Sequence, residues 1–200
     1  MEEASLGLVD DAAFKLTELI ASCKACSTVD KPLIKYGAYT KWLPERVKVL
    51  AIGESPPPGC KETVFYNLGL FDRFRLSMKL VLGLNDDEGI LKLFKSKGVF
   101  VTGAVKCRPP SRDFLEEMRK RCVSLLRAEL ELLKPNRVVA MGKTAAASIS
   151  ELLGVKRSFK VDELFELKQG NLHVVFTPHP NYIFRFRRDL APKLKALLTP

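Results

Sequence analysis

No apolar run in this sequence approaches the roughly 18 residues that a membrane-crossing helix needs, so neither a bilayer span nor a membrane partner is expected. The opening MEEASLGLVD is acidic and lacks the cationic start and apolar stretch of a secretory signal. Internal repeats, low-complexity tracts and dividing linkers are also missing, and the expectation is one domain over residues 1–200. Acidic side chains are in deficit, 23 against 33 lysines and arginines, giving a formal charge of +10. That excess favours an anionic partner, nucleic acid or an acidic surface, without choosing between them. Five cysteines, an odd number in a chain with no export signal, argue for metal, redox or buried thiols rather than a disulfide framework.

What the sequence does have is four short valine-rich runs: VKVLAIG (47–53), VFVTGAV (99–105), NRVVAMG (136–142) and LHVVFTP (172–178). Their continuity is that of parallel strands covered on both faces. Helical patterns fall at 10–22, 71–83, 88–95, 113–133, 142–153 and 188–198. Strands alternating with helices imply right-handed crossovers. The expected fold is α/β, a three-layer αβα sandwich around a central, mainly parallel four-stranded sheet. In such sheets ligands bind outside the carboxyl ends of the strands. The loops found there are Gly53-Glu54-Ser55-Pro56, Lys106-Cys107-Arg108, Gly142-Lys143-Thr144 and His179-Pro180-Asn181. The GKT of the third is no nucleotide P-loop, because Arg137 occupies the position of the first glycine that the motif requires.

CKAC places Cys23 and Cys26 after the first helical pattern, where the pair can serve a metal or a redox couple. Cys122 lies on the helix that follows the Cys107 turn, so the chain can fold its thiol back toward Cys107. Four thiolates together make a zinc site or an iron–sulfur cluster, and spacing does not separate the two. Cys60 has no place in this set.

GESPP after the first strand, VKCRPPSR after the second, VVAMGKTAA after the third and TPHPNY after the fourth resemble the uracil-DNA glycosylase superfamily. The similarity is greatest to its iron–sulfur branch, known as family 4. The resemblance implies a [4Fe–4S] cluster on Cys23, Cys26, Cys107 and Cys122, tying in the N-terminal segment 1–46. It also implies a monomeric protein acting on DNA in a prokaryotic cytoplasm, associated with the nucleoid. The implied function is a monofunctional DNA repair glycosylase that flips out a deaminated base and hydrolyses its N-glycosidic bond, leaving an abasic site.

Such chemistry needs a carboxylate or positioned water near the sugar C1′ and a donor to the departing base. By the resemblance, Glu54 is the carboxylate and His179 the donor, with Gly53 beside them; His173, within a strand, reads as structural. Ser55 stands where the best-known members keep a water-positioning Asp, so water activation falls to Glu54. Phe65 matches the aromatic that stacks on the flipped base, and Asn67 is a candidate reader of its edge. Gly103 occupies the place of the branch's uracil-reading Asn, which removes a polar reader and opens volume for hypoxanthine or xanthine. Arg108, Lys143, Asn181, Arg185 and Arg187 are the expected DNA contacts, the last two in an aromatic-interleaved basic loop, YIFRFRRDL. The departures at Ser55 and Gly103 keep an alternative open, a non-catalytic or lesion-binding DNA-binding member. A more distant one is a zinc-stapled nucleotide-binding module.

Overall fold

The four valine-rich runs become β1 (Val49–Gly53), β2 (Val99–Gly103), β3 (Arg137–Met141) and, after an additional strand β4 (Phe165–Gln169), β5 (Leu172–Thr177). The computed structural model describes residues 2–26, 30–157, 159–160 and 162–199. Strand order is β2-β1-β3-β5-β4, with β2, β1, β3 and β5 parallel and β4 antiparallel at the edge. The sheet therefore has five strands among the described residues, not four. FELKQ escapes a search for continuous apolar runs because it is an edge strand: Phe165 and Leu167 are partly buried while Glu166, Lys168 and Gln169 are exposed. Gly170-Asn171 closes its hairpin onto β5, pairing Gln169 with Leu172, and Gly-Asn is a sequence signal for that two-residue turn.

Helices α1 (Glu2–Ser22), α2 (Pro32–Lys35) and α3 (Ala38–Lys41) precede the sheet. Helices α4 (Arg73–Leu82), α5 (Asp87–Lys97), α6 (Leu115–Leu133), α7 (Lys143–Leu153), α8 (Pro180–Phe186) and α9 (Ala191–Leu198) alternate with its strands. Two groups flank the sheet: α1, α3, α6 and α7 pack on one another, as do α4, α8 and α9. β1 and β2 are buried at every position, as strands covered on both faces must be, and one apolar core runs from Leu16 of α1 to Leu198 of α9. None of the described helices is long and apolar enough to cross a membrane.

The register sets up the site. Gly53 pairs with Gly103, so β1 and β2 end level with each other. Their backbones continue side by side through the hydrogen bonds Ala104 N to Gly53 O (2.9 Å) and Val105 N to Glu54 O (3.0 Å). Gly59 N then donates to Pro109 O at 3.0 Å, joining the two proline-rich loops.

Candidate active site

Glu54, the first residue beyond β1, is partly exposed and has two partners at the carboxyl edge of the sheet. Thr144 Oγ1 donates to its Oε2 at 3.1 Å, and Arg112 Nη1 lies 3.5 Å from its Oε1. Thr144 is the second residue of α7, so the helix that follows β3 orients the carboxylate that follows β1. Ser55 turns its hydroxyl to Pro56 O at 2.9 Å, leaving Glu54 as the carboxylate of this loop.

His179 follows β5 and caps α8: its Nδ1 accepts from Asn181 N at 3.2 Å. An accepting Nδ1 puts the proton of the neutral ring on Nε2. Burial, and after it the charge of Arg112, lowers the His179 pKa to about 4, so the ring is neutral through the physiological range. One side of the ring packs on Gly142. A Cβ built there would stand 3.3 Å from His179 Cβ, and the backbone at Gly142 has φ of 90°, so glycine is required twice over. The Phe74 ring covers the imidazole at a centroid distance of 5.4 Å. The start of α7 thus touches both candidate catalytic residues, Thr144 on Glu54 and Gly142 on His179.

Several expected site residues have surroundings that the sequence did not disclose. Phe65 is 6% exposed and packs in a cluster with Tyr66, Phe74 and Phe94; the aromatic that meets His179 is Phe74, partly exposed and also the nearest ring to Gly53. Asn67 does not present its amide to a ligand, because Nδ2 donates to Glu62 O (2.9 Å) and Oδ1 accepts from Gly69 N (3.2 Å). Gly103 has no room for a side chain: a Cβ there would lie 2.7 Å from Val105 O and 3.5 Å from Ser55 Cα. The glycine permits the close approach of the β1 and β2 loops. Arg108 is buried, pairing with Asp30 at 2.6 Å and donating to Pro57 O (2.7 Å) and Thr63 O (3.3 Å). These bonds brace the cysteine turn.

Of the remaining expected DNA contacts, Lys143 is exposed at the start of α7, and Arg185 is exposed with no ion pair among the described residues. Arg187 is held by Asp189 (2.9 Å) and donates to Asp162 O (3.0 Å), which commits it to its own loop and argues against a phosphate contact. Asn181 has a buried Oδ1 with no partner.

The four cysteines come from three segments. Cys107 and Cys122 are buried in a small cluster with Val105 and Met118, against which Cys26 packs, and all four carry free thiols. Burial first, then Cys122 and Cys26, pushes the Cys107 thiol up to about 12; burial likewise raises Cys122, with Cys26 and Cys23 adding to it. The thiols are therefore neighbours, although among the described residues no group of three or more Cys, His, Asp or Glu stands at single-ion spacing. Lys31 Nζ donates to Ala21 O (2.6 Å) and Cys23 O (2.7 Å), and Arg121 Nη1 to Ala25 O (2.7 Å), fixing the CKAC segment against α6. An all-thiol donor set without disulfides fits a soft iron or zinc centre.

Sequence reasoning missed four supports. Arg75, fully buried on α4, donates to the carbonyls of Val64, Phe65, Asn67 and Leu70 and pairs with Asp87, thereby shaping the loop ahead of Phe74. Lys106 and Glu129 form a fully buried ion pair. Lys106 Nζ also donates to Thr102 Oγ1 (2.8 Å) and Gly103 O (2.7 Å), while Tyr39 and Thr102 donate to Glu129. Thr144 and Arg112 complete the set. Only the position of Thr144 after a strand-end glycine gave a signal; burial of Arg75 and Lys106 has no one-dimensional mark.

A family model described as the uracil DNA glycosylase superfamily matches residues 40–199. The chain is 28% identical over 192 residues to the type-4 uracil-DNA glycosylase of Pyrobaculum aerophilum, across 88% of this chain and 90% of that protein. To the type-5 uracil-DNA glycosylase of the same organism it is 26% identical over 185 residues, 80% of each. To the type-4 uracil-DNA glycosylase of Thermotoga maritima it is 32% identical over 100 residues, 48% of this chain and 50% of that one. The type-4 relatives agree with the branch to which the four-cysteine pattern points. The matched span includes Glu54, Cys107, Cys122 and His179 and begins after Cys23 and Cys26.

Proposed function

Because this chain belongs to the uracil-DNA glycosylase superfamily, we propose that it is a DNA repair glycosylase acting on a deaminated base. A base flipped out of DNA enters at the carboxyl edge of the sheet, and hydrolysis of its N-glycosidic bond leaves an abasic site. The observation that carries this reading is the state of His179: neutral, with Nδ1 occupied by Asn181 N and Nε2–H left to donate. As the bond breaks, negative charge gathers on the base carbonyl and positive charge on the sugar. Nε2–H stabilises the first, and the Glu54 carboxylate, oriented by Thr144, stabilises the second and holds the attacking water. Phe74 and Gly142 exclude solvent from the imidazole. Asn181, with its unpartnered amide oxygen, is the group we assign to the edge of the base. Lys143 and Arg185 take the phosphates. We place the protein as a monomer in a prokaryotic cytoplasm, bound to chromosomal DNA.

Cys23, Cys26, Cys107 and Cys122 are the residues that would hold a [4Fe–4S] cluster, an assignment supported by the free, mutually close thiols and the type-4 relatives. When bound, the cluster supplies iron–thiolate bonds that tie the end of α1, the KCRPP turn and α6 together. Base release is the work of Glu54 and His179.

The test is single-turnover excision by iron-replete protein on matched single- and double-stranded oligonucleotides carrying uracil, hypoxanthine or xanthine. Excision of at least one, with an abasic product and no strand cleavage, is expected. Tight binding without excision of any of the three would replace this reading with a lesion-binding role.

A further inference from the structure

Arg112 is out of place as a purely structural residue. It sits on a short turn after the Pro109-Pro110 pair, 75% of its side chain is exposed, and its ion-pair partner among the described residues is Glu54 at 3.5 Å. The other arginines of this region are committed: Arg108 is buried on Asp30, and Arg119 lies between Glu116 and Glu151. A long, exposed pair of this kind is worth little in water and is readily given up. A phosphate offers a guanidinium two parallel charge-assisted hydrogen bonds, which is a better partner. Lys143 is exposed on the neighbouring turn of chain, next to the Thr144 that holds the other oxygen of Glu54, so the surface around the pair is cationic.

We propose that Arg112 is a positioning residue that exchanges partners when DNA binds, leaving Glu54 for a phosphate beside the flipped nucleotide. The consequence, which rests on the glycosylase reading, is electrostatic. A guanidinium 3.5 Å from Glu54 offsets much of the field that the carboxylate would exert on a positive sugar. Its departure restores that field only when DNA is in place, while Thr144 keeps the carboxylate oriented. DNA engagement thereby switches the catalytic carboxylate on.

A double-mutant cycle on DNA affinity tests the exchange without requiring turnover. The probe is an oligonucleotide carrying 2′-fluorinated deoxyuridine, whose glycosidic bond resists cleavage, titrated by fluorescence anisotropy at several salt concentrations. Glu54→Gln frees Arg112 and is expected to tighten binding about 2- to 5-fold, the scale of one exposed ion pair. That gain is expected to vanish in an Arg112→Gln background. Arg112→Gln alone should lower the salt slope by about one, and Arg112→Lys should retain it. Equal tightening by Glu54→Gln in both backgrounds would show that the two residues act independently and overturn the exchange. So would an unchanged salt slope in Arg112→Gln. Coupled binding in a protein that excises no base would leave the exchange standing and remove the glycosylase reading; excision with additive binding would do the reverse.

Discussion

In the proposed mechanism His179 works as a neutral donor, a state that its burial favours. Its removal in His179→Ala is expected to lower single-turnover excision by about 10²- to 10³-fold, the range for one oxyanion donor, with DNA affinity retained. Since the ring resists protonation until about pH 4, acidification through pH 6.5 should leave the excision rate without a histidine limb. The same shift affects stability. The unfolded histidine takes up a proton near pH 6.5 and the folded one only near 4, so the unfolded state binds more protons in that window. The contribution to folding is complete above about 6.5 and declines as pH falls toward 4, which denaturant titrations of wild type and His179→Ala would resolve. Gly103 teaches the opposite lesson. Read along the chain, it is a missing polar side chain; in the structure, an added Cβ meets the Val105 carbonyl. Gly103→Asn should therefore not gain uracil selectivity. A backbone shift costing about 1–3 kcal/mol is expected instead, visible as a lowered midpoint in chemical denaturation.

At the level of elements, the strand ends were legible because continuous valine-rich runs stopped by glycine have few other readings. Glu54, Cys107 and His179 follow those strand ends, and Cys122 falls on the helix after the Cys107 turn. What stayed hidden has physical causes. β4 is half polar, as an edge strand is, and α2, α3 and α8 are each too short for a helical period to register. Which arginine is buried and which exposed depends on what lies opposite: Asp30 withdraws Arg108, and Asp189 holds Arg187. The Lys106–Glu129 pair joins the end of β2 to α6 beneath the site, next to Cys107. Breaking one side of a buried pair leaves a charge without a partner, so Lys106→Met is expected to cost about 3–5 kcal/mol, and Lys106→Met with Glu129→Leu less than the sum of the singles. Equilibrium unfolding of the four proteins would show this; strict additivity would mean the pair is not coupled.

For the whole molecule, the proposed cluster would tie together three segments far apart in sequence. Cys107→Ser and Cys122→Ser should lose iron and thermal stability together, whereas Cys60→Ser, exposed and outside their buried cluster, should spare both. Metal analysis beside a melting curve checks this, and iron retained without Cys107 would break the ligand assignment. The central claim is that Glu54 and His179 perform base release on DNA that the protein's cationic face already holds. Its most direct measurement is the single-turnover excision rate of Glu54→Gln and His179→Ala beside wild type, on the base the wild type prefers, with affinity measured on the same oligonucleotide. The account predicts that each variant loses at least about 10²-fold in rate while still binding the DNA. Excision at the wild-type rate by either variant would contradict it.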